Sequence, residues 1–154
     1  MPNTFTQIYI HVIFAVKNRN ALIKIEWEDK LFRYITGITT KLKQKMLRIN
    51  GMPDHIHFII GMRPECCLSD LVREIKKSSN NYIKENNLTK FNFSWQEGFG
   101  AFSVSHSQLD KVIKYVSNQK EHHKKKSFKE EYFDFLKKYN VEYDERYVFN
   151  WLDD

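Results

Sequence analysis

"PDHIHFII", residues 53–60, decides how this chain is read. Its two histidines, His55 and His57, are separated by a single isoleucine. Side chains two apart cannot share a helix face, which needs a spacing of three or four. They do share a strand face, because successive side chains of a strand point to opposite sides. Ile56, Phe58 and Ile60 then face a core. His55 and His57 project together from the other side, about 6–7 Å apart at their Cα atoms. Two imidazoles at that distance can grip one metal ion; the plainer alternative is a pair of sheet histidines with ordinary hydrogen bonds.

Upstream, "FTQIYIHVIFAV" (5–16) alternates, with Ile8, Ile10, Val12, Phe14 and Val16 on one face, as a strand does. His11 falls on the opposite side. "EWEDKLFRYITGITTKLKQ" (26–44) carries Trp27, Leu31, Tyr34, Ile35, Ile38 and Leu42 at helical spacing. "MLRIN" and "HIHFIIGM" read as two strands around a Gly51–Pro53 turn. Ser69 and Asp70 open a helix running to about Glu85. Gly98 and Gly100 precede a short strand with Phe102 and Val104 facing one way. "SQLDKVIKYVSNQKEHHKKK" (107–126) is expected to be one helix with Leu109, Val112, Ile113 and Val116 inward. "KEEYFDFLKKYN" (129–140) is expected to be a last helix, followed by a polar, aromatic tail.

The first six elements run strand, helix, strand, strand, helix, strand. That is the split βαβ pattern of a ferredoxin-like (RRM-like) α+β fold, an antiparallel sheet with helices on one face. Additional C-terminal helices follow. The other sheet face is expected to stay open, with His55 and His57 on it. No repeat or linker divides the chain, so residues 1–154 are read as a single domain.

The bulk properties narrow the function. A chain of 154 residues, 42% of them hydrophobic, can bury a real core and is no disordered tail. No apolar run approaches a membrane span, and the N-terminus lacks a signal peptide's pattern, so no membrane role and a cytoplasmic location are expected. Cys66 and Cys67 are adjacent, which suits neither a disulfide framework nor a spaced-cysteine zinc site. A net charge of +6 with 15% aromatic residues leans toward an acidic partner such as nucleic acid.

A third ligand for the histidine pair is available on the late helix. Tyr115 and Gln119 are four apart and stack on one face, at the shoulder of its apolar stripe. His122 and His123 follow one turn later. Lys111, one turn earlier, can offer charge to a phosphate. Among the other histidines, His11 is expected to be structural, and His122 and His123 to be phosphate contacts or solvated helix-end residues. "HHKKK" and the cluster of Arg73, Lys76 and Lys77 read as solvated faces that can also track a DNA backbone. Trp95, Phe99 and Phe102 are expected in the core rather than stacked on bases.

"PDHIHFII", "SWQEGFGAFSVSHSQLDKVIKYVSNQKEHH" and "YDERYVF" together resemble the small single-tyrosine HUH transposases of bacterial insertion sequences, the TnpA type of the IS200-like family. REP-associated tyrosine transposases are relatives. The resemblance covers nearly the whole chain. It implies that His55, His57 and Gln119 bind a divalent ion, Mg²⁺ or Mn²⁺, and that Tyr115 is the nucleophile. Attack would leave a 5′-phosphotyrosine and a free 3′-OH, so strands of single-stranded DNA are cut and rejoined without ATP. The implied substrate is the hairpin end of an insertion sequence. The implied assembly is a homodimer whose tyrosine helix serves the partner's histidine pair in trans.

Three other readings compete. One is a domesticated REP-associated transposase. Another is a ferredoxin-like nucleic-acid-binding protein without transposition activity, although such modules carry aromatics where this sheet carries histidines. The last is a metal-dependent hydrolase using water, with Tyr115 merely structural.

Overall fold

The computed structural model describes residues 3–143. Of "YDERYVF" only Tyr143 lies within them. Four strands, β1 (Tyr9–Ala15), β2 (Lys45–Met52), β3 (His55–Gly61) and β4 (Gly100–Val104), form one sheet in the order β2-β3-β1-β4. Every neighbouring pair is antiparallel. The connections are α1 (Glu28–Lys41) between β1 and β2, and α2 (Leu68–Glu85) between β3 and β4. This is the ferredoxin-like arrangement that the alternation and helical spacing predict.

Period-2 alternation sorts the sheet into two faces. Val12, Phe14, Ile56, Phe58 and Ile60 meet Leu31, Ile35, Leu71, Val72 and Ile75 of α1 and α2 in the main core. Trp95 and Phe93 close one end of it, and the Trp95 indole donates to Ser79 Oγ at 2.9 Å. Tyr34 and Tyr82 stack at 4.1 Å where the two helices meet. Gly51 makes the β2–β3 hairpin possible, because a Cβ there would lie 2.5 Å from the His55 carbonyl oxygen. The chain therefore enters β3 with His55 in a fixed place.

The opposite face carries His11, His55, His57, Ile13, Ala15 and Phe102. It is not left open. Helix α5 (Phe128–Lys138), capped by Ser127 whose Oγ accepts from the Glu130 N–H, lies across it. Phe128, Tyr132 and Leu136 pack on Ile13, Ala15 and Phe102 in a second apolar cluster. A sheet face that presents Ile13 and Phe102 needs a cover, and the aromatic stripe of α5 supplies one. Gly100 admits that helix, since a Cβ there would sit 2.7 Å from the Tyr132 hydroxyl.

Residues 107–126 do not form one helix. A 3₁₀ turn (His106–Gln108) leads into α3 (Leu109–Ser117), and α4 (Gln119–His122) follows after a break at Asn118. Ser and Asn compete for backbone hydrogen bonds and are weak helix formers. Ser117 Oγ indeed bonds back to the Ile113 carbonyl at 2.8 Å. α3 packs on β2, where Asn50 donates to the Ser117 carbonyl at 3.1 Å. Lys120 fastens α4 to the β2–β3 hairpin through the Gly51 carbonyl, 2.7 Å away, and to Glu28 Oε2 at 3.1 Å. The break and these ties turn Gln119 inward, where it is fully buried.

Candidate active site

His55 and His57 stand side by side on β3, each with 0% of its surface exposed. Their Nδ1 atoms are occupied from behind. His55 Nδ1 lies 2.7 Å from Asp54 Oδ1, and His57 Nδ1 lies 2.9 Å from His11 Nε2. His11 is thus a buried orienting residue rather than a bystander. The His55 ring also stacks on Phe128 at 3.8 Å, which fixes its plane.

Both Nε2 atoms point at one carboxylate. Glu131 of α5 brings Oε1 to 3.0 Å from His57 Nε2 and 3.6 Å from His55 Nε2. His123 Nε2 is 3.2 Å from the same oxygen. The other oxygen, Oε2, accepts from the Tyr115 hydroxyl and, at 3.3 Å, from Gln119 Nε2. Tyr115 lies beside His57 in the same chain, with ring centroids 6.0 Å apart. The structure therefore brings His55, His57, Tyr115 and Gln119 to one point, with Tyr115 on α3 and Gln119 on α4 across the Asn118 break rather than stacked on one continuous helix. It adds His123, which turns inward to the cluster, and Glu131, which the sequence reading missed.

Charge follows from this packing. Burial alone raises the Glu131 carboxyl; the His57 imidazole, hydrogen bonds from His123 and His57 and the nearby His55 ring outweigh it and hold the group well below the usual carboxylate range. Burial, then the adjacent Glu131 charge, pushes the Tyr115 phenol well above its ordinary value. Burial lowers His57 to about 4 despite the pull of Glu131. Burial lowers His55, but the bond to Asp54 and the nearby Glu131 carboxylate outweigh it and move the group up. Burial and the neighbouring His57 hold His11 low.

The donor set fits a divalent ion. One ligand atom each from His55, His57, His123 and Glu131 lie within 4.8 Å of one another. His55 Nε2 and Gln119 Oε1 are buried with no hydrogen-bond partner among the described residues. A histidine whose Nδ1–H is given to a carboxylate behind it presents its Nε2 lone pair forward, as histidines that bind metals do.

Tyr115 also opens onto a cleft of 1130 Å³ between α3, β4 and α5. Lys111 and His122 line it, as do Lys125, Lys126 and Lys138. His122 stacks on the Tyr115 ring at 4.3 Å. Arg73, Lys76 and Lys77 are not part of this assembly; they line a separate cleft of 670 Å³ on α2, across the sheet. Lys76 there is a strut, donating to the carbonyls of Gln96 (2.7 Å) and Gly98 (2.6 Å), and burial lowers it to about 8. Arg73 pairs with Asp70 at 2.8 Å. Trp95 and Phe102 are core residues, and no helix among the described residues is long and apolar enough to cross a membrane.

The model of a known family, described as "Transposase IS200 like", matches residues 4–119. The chain belongs to that family. It is 25% identical over 120 residues to the ISDra2 transposase TnpA of Deinococcus radiodurans, covering 73% of this chain and 84% of that protein. A putative transposase from Deinococcus radiodurans shares the fold with a TM-score of 0.63 at 22% identity, over 76% of this chain and 94% of that one. A REP-associated tyrosine transposase, solved bound to a REP hairpin, gives 0.58 at 17% identity, over 75% and 68%. Family membership makes this chain an insertion-sequence type of transposase, a DNA-acting strand-transfer enzyme.

Proposed function

We propose that this transposase acts as a single domain that cuts and rejoins single-stranded DNA through a covalent 5′-phosphotyrosine at Tyr115. The observation that carries the reading is the Tyr115 hydroxyl held against the Glu131–histidine cluster while its ring faces a lysine-lined cleft. In the reaction the Tyr115 oxygen bonds to the scissile phosphorus. The P–O3′ bond breaks, and the proton given up by the Tyr115 phenol ends on the departing 3′ oxygen, which leaves as a hydroxyl. The ester conserves the bond energy, so the reverse attack by a 3′-OH rejoins DNA. Glu131 orients the phenol; being held ionised it is a weak base, and Tyr115 stays protonated until DNA arrives. His55, His57 and Gln119 would hold Mg²⁺ or Mn²⁺, which supplies positive charge for the phosphoryl oxygens when bound. Lys111, Lys125 and His122 flank the approaching strand.

The family resemblance implies a homodimer with the tyrosine helix exchanged between subunits. The geometry of one chain supports a simpler arrangement, because its own α3 already brings Tyr115 to its own histidine pair. Mixing Tyr115→Phe with His57→Ala subunits separates the two: cleavage returns in a heterodimer only if the site is shared. The expected substrate is a single strand or hairpin end in the cytoplasm, as the cleft beside Tyr115 admits a flexible strand. The deciding experiment incubates the protein with labelled single-stranded DNA and Mn²⁺, then denatures it. A labelled protein band that vanishes with Tyr115→Phe is expected. Cleavage without any adduct would favour hydrolysis by water, and binding without cleavage the non-catalytic nucleic-acid module.

A further inference from the structure

We propose that Glu131 is itself a ligand of the divalent ion, an anionic one supplied by a helix beyond the matched family region, and that it couples the ion to the nucleophile. The proposal rests on the reading of the histidine cluster as a metal centre. The family match ends at residue 119, whereas Glu131 lies on α5 at Phe128–Lys138.

Three observations converge on that carboxylate. The first is its position. Oε1 lies 3.0, 3.2 and 3.6 Å from the Nε2 atoms of His57, His123 and His55. The second is the hydrogen-bond inventory of His55. A neutral imidazole has one N–H, and Asp54 accepts from Nδ1 at 2.7 Å. Its Nε2 then faces Glu131 Oε1 at 3.6 Å with a lone pair, an approach that needs a positive charge between them, either a second ring proton or a metal ion. That Nε2 has no hydrogen-bond partner among the described residues. The third is the sequence position of Glu131. It is 2% exposed and sits between Phe128 and Tyr132, on the face that α5 buries against the sheet. A charge there is costly without a strong partner.

The two oxygens divide the work. Oε1 faces the ion ligands, and Oε2 accepts from Tyr115 and Gln119. One rigid carboxylate thereby sets the distance between ion and phenol. It also changes the ion preference. A set of imidazoles and one carboxylate favours Mn²⁺ and the later divalent metals over Mg²⁺, which prefers oxygen ligands and retained water.

The test is direct binding of Mn²⁺ to the full chain without DNA, read from the electron paramagnetic resonance signal of the unbound ion. Wild type should bind one Mn²⁺ per chain. Glu131→Gln, similar in shape but uncharged, should weaken that affinity at least about tenfold. Glu131→Asp keeps the charge but shortens the reach, and should fall between the two. A cooperative melt in EDTA identifies the variants that fold, and Glu131→Asp carries the test if Glu131→Gln does not. Wild-type affinity in a folded Glu131 variant, with binding lost in His57→Ala, overturns the Glu131 assignment and leaves the metal centre standing. No binding to wild type, or full binding to His57→Ala, overturns both.

Discussion

The two faces of the sheet solve different problems with the same strands. Phe58 and His57 are neighbours on β3, and both are fully buried. Phe58 enters an apolar core whose energy comes from area removed from water and from close packing. His57 enters a network in which His11, Glu131, Tyr115, Gln119, His55 and His123 satisfy or orient one another. The first face tolerates any set of residues with the right shape. The second works only as a set, because each buried polar group depends on its neighbours.

The sharpest way to break this comparison is to change the two neighbours separately. His57→Gln should reduce DNA cleavage to background while the chain still melts cooperatively. Glutamine keeps the buried volume filled here, where stability is read alongside cleavage. Phe58→Ala should do the reverse, costing about 3–5 kcal/mol in urea unfolding yet leaving cleavage measurable wherever the protein remains folded. Cleavage by His57→Gln at wild-type rate would remove the histidine face from the chemistry.

A smaller effect is expected at the edge of the network. Gln119→Ala removes one neutral donor and leaves the histidines, so cleavage should drop about 10–100-fold. Excess Mn²⁺ should restore part of it. If added metal changes nothing, Gln119 orients Glu131 or DNA and is no ion ligand.

The two faces also differed in how plainly the sequence announced them. Alternation in residues 5–16 and 53–60 and the helical spacing of Leu31, Ile35, Leu71 and Ile75 were enough for the sheet and its α1/α2 cover. The His55–His57 pair was legible because a spacing of two puts both on one strand face, and Tyr115 and Gln119 because the family resemblance joined them to it; their spacing of four is not a shared helix face, since the break at Asn118 parts them. Glu131 was not, since "KEEYFDF" looks like a charged helix start and Glu130 beside it is solvent-exposed. A signal existed nevertheless: Glu131 falls inside the stripe Phe128, Tyr132, Phe135 and Leu136, where a charge demands partners. The closed histidine face is hidden for a related reason, because nothing local in the sequence pairs the aromatic side of α5 with the distant Ile13, Ala15 and Phe102. The break at Asn118 depends on ties from Lys120 and Asn50 to distant backbone, which local propensity cannot display.

Acid should separate the faces by a modest amount. His57 stays neutral in the fold down to about 4, whereas an unfolded chain takes up that proton near 6.5. The unfolded state thus binds more protons in this window, and stability falls as pH drops from about 6.5 toward 4. His11, held low by burial, acts in the same direction. His55 acts oppositely: its raised value gives stability below about 6.5 that is lost as pH climbs through its folded value. Urea midpoints measured in EDTA should therefore decline over that acid window, and His57→Gln should flatten the decline. An unchanged slope in that variant would show that His57 is protonated in the fold.

The smallest expected effect concerns two lysines that looked alike in the sequence. Lys111 and Lys77 both belong to basic helical clusters, but they lie on opposite sides of the sheet. Lys111 lines the cleft that holds Tyr115, and Lys77 lines the cleft on α2. A lysine that touches a phosphate of a single strand releases condensed counterions, and each such contact contributes about −0.7 to the slope of log affinity against log salt. Lys111→Ala should therefore make that slope shallower by about 0.7 and weaken single-strand binding severalfold at low salt. Lys77→Ala should leave the slope at its wild-type value. The measurement is a titration of labelled single-stranded DNA at several salt concentrations, with Tyr115→Phe in the background so that no adduct forms. Equal slope changes for both lysines would mean that DNA wraps past the α2 side as well. A change at Lys77 alone would move the strand path off the Tyr115 cleft, and the phosphate contact of Lys111 would go with it.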